Sequence, residues 1–210
     1  MTIFRLNSSC RRIGHINCHD MKTIIGEPTL VDADFVYAAQ RGGELTKSAI
    51  SVIMGSSEWK SIEESDSFKS EAIVPTITTT VRRRSMGEVR VLPWRNAAVS
   101  GESPYYQFFL TISNTRAGIQ DIHVIDDQIV FIPKLTESAY DALQNTMNER
   151  WVSQPPRATT HSQGEILLFD ENTIHRPMAI TDYGWLYTFT LTYSTRKPIP
   201  QCDVPTESTD

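Results

Sequence analysis

The residues in this chain best suited to chemistry are its five histidines, His15, His19, His123, His161 and His175. An imidazole titrates near neutrality, so each is a candidate proton carrier or metal ligand. His175 has the most suggestive setting. Gly164 opens an apolar run, Glu165 to Phe169, that is short enough for a buried strand, and a polar turn from Asp170 to Thr173 follows. His175 then stands at the start of the next strand with Arg176 beside it. A second run, Gly184 to Tyr193, closes the unit and carries Trp185 and Tyr187. A strand, a tight loop, a histidine at a strand mouth and a final aromatic strand predict a site at the rim of a β-barrel, with the imidazole aimed inward.

Other donors are sparser. Asp121 and His123 are two apart on a strand-like segment and would share one face. With His175 they form one possible metal set. A surface acid beside a satisfied strand histidine is the other reading. His161 reads as a loop histidine. Cys10, His15, Cys18 and His19 lie close together but lack the paired C-x2-4-C and H-x3-5-H spacing of structural zinc sites, so an edge segment is preferred there. The run Arg82-Arg83-Arg84 reads as a solvated strand edge.

The elements that must position these groups change character along the chain. Residues 1–70 predict a helical flank of the same domain, with a short helix from Val31 to Gln40, a longer one after Gly42-Gly43 that ends at Gly55, and a last turn around Trp59. Residues 71–195 predict the β core. Ile73 to Val81 is β-branched and begins beside Pro75, which suggests an edge strand. Gly87 to Leu92, Tyr105 to Ile112 and two short runs around Asp126-Asp127 follow as strands, with a turn at Asn114 to Gly118. Tyr140, Leu143, Met147 and Trp151 fall on one face of a helix that Thr136 would cap. Residues 196–210 are proline-rich and poor in apolar side chains, and read as a disordered tail. Helices first, then about eight strands with one inserted helix, predict a mainly β fold with flanking α: a double-stranded β-helix, or jelly-roll, barrel.

Composition bounds the partners. Of 210 residues, 40% are hydrophobic and 21% charged, ordinary for a globular chain, and the net charge of −5 gives no general attraction to nucleic acid. Three cysteines imply no disulfide framework and suit a reducing compartment. No apolar run approaches the ~20 residues of a membrane span, and the N-terminal residues lack a secretory core. The expectation is a cytoplasmic protein that takes a small-molecule substrate, with no nucleic acid or membrane partner and with a homodimer possible.

The segment Gly164-Glu165-Ile166-Leu167-Leu168-Phe169-Asp170-Glu171-Asn172-Thr173-Ile174-His175-Arg176-Pro177 resembles the second metal-ligand segment of Fe(II)/2-oxoglutarate-dependent oxygenases, especially phytanoyl-hydroxylase-like and clavaminate-synthase-like members. Leu92 to Val99 and Pro104 to Leu110 look like that family's first ligand segment, and the resemblance covers roughly residues 70 to 193. It implies a barrel holding iron on a His-x-Asp/Glu…His triad, with a basic residue near the last strand gripping 2-oxoglutarate. The chain departs from that pattern. It contains no His-x-Asp or His-x-Glu; Arg95 and Ala97 stand where the resemblance puts histidine and acid, and Tyr183-Gly184-Trp185 where it puts the basic residue. A guanidinium stays charged and does not serve as a metal ligand.

The expected site is therefore a residual pocket. His175 and His123 would work as acid–base groups and Arg95 as anion holder; Trp94, Tyr106, Trp185, Tyr187 and Arg176 would line the substrate. The expected activity is a non-oxidative cyclisation, isomerisation or elimination with no cofactor. Two alternatives stand beside it: an active oxygenase using Fe(II) and 2-oxoglutarate on Asp121, His123 and His175, and a barrel that binds a ligand without turnover.

Overall fold

The computed structural model describes residues 2–18, 20–65, 68, 75–84, 93–102, 105–113, 122–177 and 183–194. In chain order the N-terminal part holds β1 (Phe4–Ser8), β2 (Arg11–His15), α1 (Met21–Gly26), β3 (Leu30–Ala33), α2 (Phe35–Arg41), α3 (Glu44–Gly55) and α4 (Ser57–Glu64). Then come β4 (Thr76–Arg84), β5 (Tyr105–Ser113), β6 (Ile122–Ile125), β7 (Asp127–Phe131), α5 (Ala139–Ser153), β8 (Ala158–Thr160), β9 (Glu165–Asp170), β10 (His175–Pro177) and β11 (Gly184–Ser194). The fold is mainly β with flanking helices, and every strand pairing is antiparallel.

A six-stranded sheet in the order β2-β9-β5-β11-β4-β3 forms the body, faced by a small sheet in the order β10-β6-β8. Arg95 extends the small sheet by one bridge to His175. A separate ribbon pairs β1 with β7, and Phe4 stacks on Phe131 across it.

Alternation along the long strands decides what each face of the large sheet meets. Tyr187, Phe189 and Leu191 share one face with Leu110 and Phe108, and α1 to α4 cover that face with Ile24, Leu45, Ile53 and Trp59. The other face is apolar only toward β9, where Leu167, Phe169 and Phe109 pack on Ile122 and Val124 of the small sheet. Beneath the small sheet, α5 packs Leu143 and Met147 against Ile125, Ile174 and Trp94.

Several expectations shift. Strand β4 is not an edge, because β3 pairs along its outer side. Residues 30–33 are strand rather than helix; Asp34 starts α2 by accepting the Tyr37 N–H at 2.7 Å. Helix α5 begins later than Thr136, since Ser138 is its cap and accepts the Asp141 N–H at 3.1 Å. The N-terminal flank also supplies strands to two sheets, so residue 70 does not separate a helical part from a β part. Gly164 has φ +84°, and a Cβ there would come within 2.2 Å of the Ile16 carbonyl oxygen, so this turn requires glycine. The expected strand at 87–92, the turn at 114–118 and the tail at 196–210 lie outside the described residues. Among the described residues no helix is long and apolar enough to cross a membrane.

Candidate functional site

The site is built by cross-strand register. The backbones of Arg95 and His175 exchange two hydrogen bonds, Arg95 N–H to the His175 carbonyl at 2.8 Å and His175 N–H to the Arg95 carbonyl at 3.1 Å. Directly opposed residues project to the same side of a sheet. Val124 lies opposite His175 on the other flank, so Arg95, His175 and Val124 form one row, and Val124 packs on Phe169 of the large sheet. The His175 ring stacks on Phe169 at 4.7 Å and 20°. This contact turns the imidazole toward the large sheet.

Electrostatics keep His175 neutral. Burial pushes its pKa down to about 4, and the Arg95 guanidinium pushes the same way. The Thr173 backbone opposes them, yet Nδ1 is sealed from water without an aligned hydrogen-bond partner. Arg95 itself is exposed. It also lies within electrostatic reach of Tyr105, whose hydroxyl burial pushes up, with Glu102 adding to that shift and Arg95 opposing it. Tyr105 starts β5 opposite Ser194, on the same inner face as Gln107 and Phe169. Arg95, His175, Tyr105 and Glu102 thus gather at one end of the inter-sheet space.

His123 is elsewhere. It lies opposite Arg176, one residue along the ladder from His175, and so projects from the other face of the small sheet. There its ring sits 5.3 Å from Trp151 of α5. The Arg176 guanidinium carbon rests 4.2 Å from the Trp94 ring and 4.5 Å from the Trp151 ring. Trp94 is 1% exposed, and its backbone N–H and carbonyl are both bonded by the Gln144 amide at 2.9 and 2.7 Å. The His123 pKa is lowered by burial and then by Arg176. This is the joint between sheet and helix, with cation–π contacts as its cement. Trp94 and Arg176 belong to it and not to a pocket shared with His175.

The remaining expected wall residues lie in a third place. Tyr106, Trp185 and Tyr187 all project to the helix-covered face of the large sheet. Tyr187 is fully buried, its hydroxyl 2.9 Å from that of Thr46, which donates to Glu27 at 2.8 Å. Glu27 also accepts the Leu45 N–H and so caps α3, whose own cap residue is Gly43. Tyr106 stacks on Tyr193 at 6.2 Å. These rings hold the helices to the sheet, and the expected aromatic lining does not form.

Scanned against protein-family models the chain matches none, and no curated protein matches it.

Among the described residues the donors around His175 do not suit a ferrous ion. On the inner row His175 is flanked by Arg95 and Val124, neither of which offers a lone pair, and Ala97 has no donor atom. The rearranged set does not converge, because His123 and His175 leave the small sheet from opposite faces; its third member, Asp121, lies outside the described residues. Among the described residues no group of three or more His, Cys, Asp or Glu side chains is placed to hold a metal ion. The N-terminal cluster also disperses: His15 bonds the Gln163 carbonyl at 3.0 Å and Cys18 faces the Asp20 carbonyl, while His19 is outside the described residues.

Sequence reasoning missed two groups. Tyr105 was visible only as a strand residue. Cys10 lies 3.4 Å from Nε2 of His161, and Glu165 lies 3.4 Å from the far ring nitrogen, held by Arg12 at 3.3 Å and by the Ser162 N–H at 2.9 Å. Nucleophile, base and orienter are thus in line, although Glu165 is not aligned to accept from Nδ1. Burial raises the thiol to about 11 and lowers the imidazole, so both stay uncharged and the thiol is not activated. No spacing in the sequence links residues so far apart.

Proposed function

We propose that this protein is a small-molecule enzyme on a jelly-roll frame like that of the 2-oxoglutarate oxygenases, working by acid–base chemistry without the iron triad. The path of the chain supports the frame. Its strands visit the sheets in the order β4 large, Arg95 small, β5 large, β6 and β8 small, β9 large, β10 small, β11 large. The observation that carries the functional reading is the Arg95–His175 rung. It sets a permanently charged guanidinium beside an uncharged imidazole, in the row where the resemblance would place two metal ligands.

Such a pair suits proton abstraction beside an anionic group. Arg95 holds a carboxylate or an enolate oxygen. His175, neutral at pH 7, accepts a proton from the adjacent carbon through a ring nitrogen. The resulting imidazolium then returns the proton at another position or loses it to water. Its low pKa makes it a weak base, and a substrate that excludes water while bringing a negative charge would raise that pKa during the reaction. Tyr105, kept protonated by burial and by Glu102, supplies a second hydrogen-bond donor at the same end.

The test is hydrogen exchange. Chelator-treated protein is incubated in D2O with fractionated metabolites, and mass spectrometry follows deuterium entering carbon-bound positions. The expected result is exchange that survives iron removal and disappears with His175→Ala. Exchange or product formation that needs added Fe(II) would overturn the reading, and binding without any exchange would leave a barrel that holds its ligand without turnover.

A further inference from the structure

The inner face of the large sheet changes chemistry halfway across. Four cross-strand rows can be followed from β4 to the β5 and β9 side. They run Thr76–Thr192–Gln107–Phe169, Thr78–Thr190–Phe109–Leu167, Thr80–Thr188–Thr111, and Arg82–Leu186–Ser113. The β9 end of these rows is apolar and lies under the small sheet. In the β4 and β11 half the first three rows carry a threonine at every position, and the fourth is Arg82–Leu186. On β11 the helix-side residues Tyr187, Phe189 and Leu191 are buried, and the intervening Thr188, Thr190 and Thr192 are only partly buried. A sandwich whose two sheets closed fully on each other would be apolar on both inner faces. Hydroxyls left half-covered inside a fold need water or a ligand as partners. Among the described residues the bonds of Thr190 and Thr192 are long: Gln107 Nε2 donates to the Thr192 hydroxyl at 3.3 Å, and the Thr190 hydroxyl donates to the Thr78 carbonyl at 3.4 Å. The Thr78 hydroxyl is engaged at the sheet edge, where it donates to Asp32 at 3.1 Å.

Arg95 stands at the boundary. It prolongs the small sheet on the side away from β6 and is in electrostatic reach of Tyr105 on β5, whose β11 partner Ser194 lies two residues from Thr192 on the same face. A ligand with its charge on Arg95 and its reacting carbon beside His175 would therefore lay the rest of its length on threonines, not on aromatic rings. We infer that the ligand of this cup is a small polyhydroxylated anion, a carboxylate or phosphate ester with several hydroxyl groups, and not a flexible apolar chain. The inference rests on the Arg95–His175 site proposed above and names its substrate class. The apolar alternative needs the aromatic wall of Tyr106, Trp185 and Tyr187, which faces the helices.

Four probes of similar size separate the contributions: gluconate, glucose 6-phosphate, glucose and hexanoate. Ligand-observed NMR and calorimetric titration of the full chain give their affinities. At least one of the two hydroxylated anions is expected to bind more than about tenfold tighter than both glucose, which lacks the charge, and hexanoate, which lacks the hydroxyls. Which of the two wins identifies the anionic group. The double variant Thr190→Val, Thr192→Val keeps the β-branched shape and should weaken that binding about tenfold, while Thr190→Ser, Thr192→Ser should restore it. Hexanoate binding as tightly as the hydroxylated anions, no binding by any of the four, or equal loss in the Val and Ser variants would overturn the inference. Failure of the enzyme reading looks different. There the hydroxylated anion still binds and still needs Arg95, but no carbon-bound deuterium appears.

Discussion

The small sheet has two faces, and each carries one histidine and one arginine. On the inner face His175 and Arg95 look toward the large sheet; on the outer face His123 and Arg176 look toward α5. The composition is the same and the consequences differ. Arg176 is held against two indoles and half-buried, whereas Arg95 is exposed and makes no ion pair among the described residues. His175 is the more perturbed imidazole, because it is sealed against Phe169. Both rings have a buried Nδ1 without an aligned partner, so the difference lies in the arginines: Arg176 is taken up by packing, and the Arg95 guanidinium stays open beside the inner imidazole. A one-residue step along β10 separates a structural joint from a candidate reaction centre.

The largest expected contrast is between neighbours. Trp94→Ala should cost about 4 kcal/mol, because it empties a fully enclosed site and removes one wall of the Arg176 cage. Arg95→Ala, one residue on, should cost no more than about 0.5 kcal/mol. Guanidinium unfolding midpoints measure both, and equal losses would break the distinction between the faces.

Next in size is pH dependence. The folded His175 pKa lies below the ordinary 6.5, so the unfolded chain takes up its proton first as pH falls. Stability from this group is complete above about pH 6.5 and is lost progressively down to about pH 4, in all about 3 kcal/mol. The His175→Phe variant, which keeps a ring against Phe169, should show a flatter stability profile over that window. A His123→Phe variant that flattens it more would reverse the ranking.

Smaller effects sharpen the comparison. Arg176→Met should cost about 1 to 2 kcal/mol in lost cation–π contact and let the His123 pKa rise, because Arg176 holds it down. Arg95→Gln should let the His175 pKa rise without moving His123, since Arg95 acts on the inner ring. Histidine-selective NMR titration reads both. Cross-talk, with Arg95→Gln shifting His123, would mean that the two faces are not electrically separate.

Much of the frame was legible. The apolar run from Glu165 to Phe169, the turn to Thr173 and the strand from Gly184 lie where pattern placed them, because the alternation of strands and the glycine at 164 are local signals. The parity on β11 was legible too: Tyr187, Phe189 and Leu191 occupy one phase and Thr188, Thr190 and Thr192 the other. Which phase faces the site was not, since that depends on where α1 to α4 dock. The grouping of Trp94 with His175, and of His123 with His175, failed for a related reason. Each depends on a one-residue register between strands far apart in the chain, and a slip of one position exchanges faces. Arg95 and His175 do meet, through a backbone bridge between segments eighty residues apart that no local pattern in the sequence reports.

His175 faces Arg95 across a rung whose described residues offer no second donor for a ferrous ion, while His123 belongs to the other side. Anaerobic titration of metal-free protein with Fe(II) and 2-oxoglutarate, followed by calorimetry and visible absorption, tests it most directly. Neither a one-equivalent binding isotherm nor a charge-transfer band is expected, in the wild type and in His175→Ala alike. Saturable one-equivalent binding with that band, abolished by His175→Ala and also by His123→Ala, would place both rings on one metal and contradict it.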